Sequence, residues 1–117
     1  MPREFNRHQR VSEVIRREMA DIIRQQVNLP GLGMLTVSAV EVSPDLKSAR
    51  IYMTLLGGTL EISEVIDYLN HSVKRLRHQL AQRLTLRLTP QLRFLHDTTI
   101  EEGSRLIALI NTLNDPH

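Results

Sequence analysis

The chain has 117 residues, enough for one domain with an adequate core, and its 41% hydrophobic content is clear of the disordered range. It has no cysteine, which excludes a disulfide framework, a thiolate metal site and a cysteine nucleophile, and its formal net charge is only +2. No apolar run approaches a membrane span and Met1–Arg10 is too polar for a signal peptide, so a soluble cytoplasmic protein with no membrane partner is expected. Aromatic residues make up 3% and tryptophan is absent, which argues against binding single strands by stacking bases on aromatic rings.

Pro2 to Val27 reads as a long helix. Val11, Val14, Ile15, Met19, Ile22, Ile23 and Val27 keep the helical period. Arg3, Arg7, Arg10, Arg17 and Arg24 line its other side, interleaved with Glu4, Glu13, Glu18 and Asp21, so most of them are expected in exposed ion pairs. Arg3, Arg7 and Arg10 are the ones placed to meet a phosphate. Leu29-Pro30-Gly31-Leu32-Gly33 stops the helix and is a connector, since no Gly-Lys-Ser/Thr follows its glycines.

Met34–Ser43 has strand composition, Ser43-Pro44-Asp45-Leu46-Lys47 is a turn, and Ala49–Leu56 is a second strand ended by Gly57-Gly58; together they predict an antiparallel hairpin. In the second strand Ala49, Ile51, Met53 and Leu55 share one face.

A helix from about Leu60 to Leu84 follows, with Ile62, Val65, Ile66, Leu69, Val73, Leu76, Leu80 and Leu84 on one stripe. Unbroken, it would be roughly 36 Å long, more than a domain of this size is wide, so a break is expected. Asn70-His71-Ser72 is its weakest helical stretch, because Asn and Ser compete locally for backbone hydrogen bonds. Gln91–His96 is a third strand whose neighbour the pattern leaves open. Thr99-Ile100-Glu101-Glu102 has capping-box spacing, and a last helix is expected to run to about Leu113. The order predicts one α+β domain with a three-stranded sheet covered by helices.

Charge is concentrated in Tyr68–His96, which has no Asp or Glu and carries Lys74, Arg75, Arg77, Arg83, Arg87 and Arg93, a formal +6 that leaves the rest of the chain net acidic. His71, Lys74, Arg75 and His78 recur at helical spacing and form a stripe. A field of one sign on one element attracts polyanions. His71, Lys74, Arg75, Arg77 and His78 are therefore the first candidates for contacts to a nucleic-acid backbone, with Arg83 and Arg87 next. His71 and His78 lie two helical turns apart with no third ligand in view, so no metal site is expected. No carboxylate pair or serine context supports catalysis; adjacent Glu101 and Glu102 point apart, and the acid-free segment lacks ligands for Mg²⁺.

Two blocks carry a family resemblance. One is Leu35-Thr36-Val37-Ser38-Ala39-Val40-Glu41-Val42-Ser43-Pro44-Asp45-Leu46 with Ala49-Arg50-Ile51-Tyr52. The other is Leu86-Arg87-Leu88-Thr89-Pro90-Gln91-Leu92-Arg93-Phe94 with Asp97 and Ile100-Glu101-Glu102-Gly103. They resemble the ribosome-binding factor A family over about Phe5 to Leu113. The resemblance implies a single type II KH-like domain spanning the chain, αββ-α(kink)α-β plus a C-terminal helix, with no catalysis and no cofactor. It implies binding to 16S rRNA precursor and the free 30S small ribosomal subunit, support of late 30S maturation and 5′-end processing, and growth in the cold; the sequence carries no strong dimer signal, so a monomer is expected. KH domains hold nucleic acid with a GxxG loop between two helices; this family instead interrupts the helix at an Ala-x-Gly break. The aligned stretch here reads Asn70-His71-Ser72, which brings hydrogen-bonding side chains where the family has room for backbone and adds Asn70 and Ser72 to the RNA-contact candidates. The chain stops soon after its last helix, so no role of a charged tail is expected. The alternatives are a protein-interaction module that uses the basic helix, and a KH-like RNA binder in another pathway.

Overall fold

Ile15, Met19, Ile22 and Ile23 fall on one side of a helix, and all four are buried. In the computed structural model, which describes residues 7–85 and 88–99, this helix, α1, runs Arg7–Gln26. It is followed by β1 Leu32–Val42, β2 Ser48–Gly58, α2 Ile62–His71, α3 Val73–Arg83 and β3 Gln91–His96. The expected last helix lies outside the described residues from Ile100 onward.

β2 is the central strand, antiparallel to β1 and parallel to β3. A tight turn joins β1 to β2: Ser43 N donates to Ser48 O at 2.9 Å and Lys47 N to Asp45 Oδ1 at 3.0 Å. Beside the Asp45 carboxylate, the Ser43 hydroxyl and the Lys47 amide hold its pKa below the ordinary value. The register shifts between Val37 and Ala39, so Ser38 is an extra residue in β1. Parallel pairing cannot be closed by a short turn, and the stretch from α2 through α3 makes the crossover to β3.

Val37, Val42, Ala49, Ile51, Met53 and Phe94 form the sheet's buried side, packed with α1, Val65 and Leu69 of α2, and Leu76 and Leu80 of α3. Glu41, Arg50 and Arg93 lie on the other side and are exposed. There Arg50 pairs with Glu41 at 3.0 Å, and Tyr52 Oη donates to Glu41 Oε1 at 3.1 Å.

Both hairpin strands run further than the sequence pattern predicts. Gly57 and Gly58 stay in β2 with φ of 75° and 76°, and Leu32 pairs with Gly58. The reason is a close approach of the two strands. A Cβ on Gly58 would collide with the Gly33 and Gly31 backbones, and one on Gly33 with the Leu56 and Gly57 carbonyls. Gly58→Ala is expected to lower stability by about 1–2 kcal/mol, through both the positive φ and the collision, read as a lower urea midpoint at unchanged m-value.

Candidate nucleic-acid interface

The long helix does break where its length and composition predict. α2 ends at His71, Ser72 adopts φ −95° and ψ 10°, and α3 starts at Val73. Ser72 N–H is shared between Tyr68 O at 2.9 Å and Leu69 O at 3.1 Å, and Leu76 N–H resumes the ladder on Ser72 O at 3.1 Å. Neither Gly nor Pro is needed: a three-centre hydrogen bond tightens the last turn and a second helix starts at Val73.

The predicted contact residues separate into two groups. His71, Lys74, Arg75 and His78 are exposed, and Ser72 is half-buried at the break. Lys74 has no carboxylate within ion-pair reach among the described residues. Arg75 donates from Nη2 to Tyr68 Oη at 3.1 Å, a contact that spans the break and holds the Tyr68 phenol below its ordinary pKa. His71 Nδ1 lies 2.8 Å from Asp67 O. A carbonyl only accepts, so Nδ1 is the donor in this contact. Arg7 and Arg10 are exposed at the start of α1, as expected.

Asn70, Arg77 and Arg83 form the second group, and their polar ends are engaged inside the fold. The Asn70 amide donates to Phe94 O at 3.0 Å and accepts from Phe94 N at 2.8 Å. Arg77 donates from Nε to Pro90 O at 2.9 Å and from Nη2 to Thr89 O at 2.5 Å. Arg83 bridges to α1, with Asp21 Oδ2 at 2.6 Å, Glu18 Oε1 at 3.3 Å and Gln25 Oε1 at 3.1 Å. The basic helix is thus narrower as an electrostatic surface than its sequence implies, because carboxylates from 62 to 65 residues away meet it in space. Arg3 and Arg87 lie outside the described residues. On α1, Arg24 pairs with Asp21 as the interleaving predicts, whereas Arg16, off the predicted line, is the residue that pairs with Glu13, and Arg10 and Arg17 form no ion pair among the described residues.

The Asp21 carboxyl is held below the ordinary aspartate pKa, first by its hydrogen bond to Arg83 and then by Arg24. A depressed folded-state pKa means stability that is full above the unfolded value and lost as pH falls through the folded one. Replacing Arg83 by Met is therefore expected to flatten the loss of stability as pH falls below about 4, the ordinary aspartate range, measured by urea unfolding at each pH, while lowering stability at neutral pH.

An open cleft of about 1250 Å³ lies elsewhere, between the start of α1 and the sheet. Arg16 and Arg50, which line it, are paired with Glu13 and Glu41. Among the described residues no three His, Asp or Glu side chains gather to hold a metal, and no helix is long and apolar enough to cross a membrane.

The chain has close counterparts among known proteins. The sequence profile described as ribosome-binding factor A matches residues 7–110. The chain belongs to the ribosome-binding factor A family. It is 44% identical over 117 residues to ribosome-binding factor A of Halorhodospira halophila, covering 99% of this chain and 93% of that protein. Among solved structures it is similar to the crystal structure of ribosome-binding factor A from Thermus thermophilus, with TM-score 0.67 and 29% identity, covering 76% of this chain and 93% of that one. It is also similar to a Thermus thermophilus ribosome-binding factor A homology model fitted into the electron cryo-microscopy map of a 30S complex, with TM-score 0.65 and 29% identity, covering 74% and 91% respectively. The fold is accordingly the KH-like α+β fold of the family, and the break at Ser72 sits on the connection between its two central helices.

Proposed function

We propose that this chain acts as a single KH-like RNA-binding domain that docks on the small ribosomal subunit, on precursor 16S rRNA, through the exposed face of the α2–α3 break. In this reading Lys74 and Arg75 neutralise phosphates, Ser72, His71 and His78 hydrogen-bond the backbone beside them, and Arg7 and Arg10 extend the contact. The protein works as a monomer in the cytoplasm, catalyses nothing, and supports late 30S maturation, including 5′-end processing and growth in the cold. The observation that carries this is the exposed pair of cations at the break, with no acidic neighbour for Lys74 among the described residues, on the fold of a family whose Thermus member was fitted into a 30S complex.

The test is co-sedimentation of the purified protein with immature and mature 30S subunits across a salt series. Four phosphates met by Lys74, Arg75, Arg7 and Arg10 predict a slope of log affinity on log salt of about −3 to −4. A flat slope, or equal binding to bulk messenger RNA, overturns the reading.

A further inference from the structure

The Asn70 amide does for β3 what a fourth strand would do. β3 pairs with β2 on one side, and the main-chain groups of alternate residues face outward on the other. Asn70 meets both outward groups of Phe94, the carbonyl at 3.0 Å and the amide at 2.8 Å. Seven residues on, beyond the break, Arg77 grips the carbonyls of Pro90 and Thr89 at the lead-in to the same strand. Two straps therefore run from the two helices to one strand, one on each side of Ser72. Lys74 and Arg75 lie between them. α2 is tied to β3 at Asn70 and α3 to its lead-in at Arg77, so both sides of Ser72 are anchored on one strand.

We propose that Asn70 and Arg77 are positioning residues of the interface: they clamp the break against β3 so that Ser72, Lys74 and Arg75 present one fixed surface, and they make no contact with RNA themselves. The proposal rests on the functional reading above. It assigns Arg77 a different part from its neighbours Lys74 and Arg75, although all three look alike in sequence. A guanidinium reaching two carbonyls through Nε and Nη2 uses its fork geometry, which a lysine cannot reproduce.

The Tyr68–Arg75 contact reports on the clamp, because its two ends lie on opposite sides of the break. The protein has two tyrosines, and they titrate apart: Arg75 holds Tyr68 low, whereas burial and the hydrogen bond to Glu41 push Tyr52 up. Absorbance titration in a Tyr52→Phe background isolates Tyr68.

Asn70→Ala and Arg77→Lys are compared with wild type for 30S co-sedimentation across salt, for tyrosine titration and for urea unfolding. The expected result is that each variant stays folded, binds roughly 10-fold more weakly with an unchanged salt slope, and shows the Tyr68 transition moved up toward the ordinary phenol value. Wild-type affinity in a folded Asn70→Ala or Arg77→Lys protein overturns the proposal, since the straps would then be structural ties only. Full binding by Arg77→Lys with a reduced slope for Arg77→Met also overturns it, since Arg77 would then be a phosphate contact. If Asn70→Ala does not fold, Arg77→Lys, which keeps the charge and removes only the fork, decides. If wild type itself ignores 30S subunits, the functional reading fails, while the tyrosine titration still shows whether the straps set the break.

Discussion

Replacing Phe94 by alanine is expected to remove about 3–5 kcal/mol of stability, the largest effect of any single core truncation here. Phe94 is fully buried on β3, opposite Ile51 in the register, and it closes the core between the sheet and α2. A domain of this size has only about 5–15 kcal/mol in total, so the melting temperature should fall by roughly 15–25 °C. The neighbouring Leu92, half-buried on the same side of the strand, serves as the comparison, and Leu92→Ala should cost clearly less. The Phe94 backbone also holds the Asn70 amide. A side-chain truncation that leaves the protein folded in the cold should therefore leave the break in place, which far-ultraviolet circular dichroism and the Tyr68 titration can check together.

Removing Lys74 and Arg75 together is expected to weaken 30S binding roughly 100-fold at fixed salt and to make the salt slope about 1.5–2 less steep. Both residues are exposed, so stability should change little. That separates this pair from Arg83, whose removal breaks contacts to Asp21, Glu18 and Gln25 on α1 and should act mainly on folding. Lys74→Ala/Arg75→Ala with unchanged binding and slope would show that the exposed face of the break is merely solvated.

Much of this architecture can be read from residue order, because local rules and tertiary packing agree. β3 runs Gln91–His96, as its alternation predicts, and the break falls within Asn70-His71-Ser72 because those residues are poor helix formers at the point where an unbroken helix would overrun the sheet. The turn at Ser43–Lys47 follows from Pro44 and Asp45. What could not be read depends on distant partners. Asp21 and Glu18 neutralise Arg83 across more than sixty residues of sequence, so an acid-free segment is not an acid-free surface. The acceptors of Arg77 and Asn70 are backbone atoms, which leave no mark on composition. Gly57-Gly58 reads as a strand stop by local preference, yet the facing Gly33 turns the same glycines into a means of extending the pairing. That β3 lies beside β2 and parallel to it depends on the crossover, about which strand alternation is silent.

The parallel seat of β3 also orders events during synthesis. α1 and the β1–β2 hairpin contain their own short-range contacts and can assemble once Gly58 has emerged. α2 and α3 follow, but Asn70 and Arg77 have nothing to grip until residues 89–94 are outside the exit tunnel. A nascent chain therefore exposes its cationic segment first as a loosely oriented helix and only last as a shaped surface. If the exposed face of the break is the docking surface proposed above, the long loop closure that seats β3 keeps an unfinished copy from presenting it to the particle that is translating it.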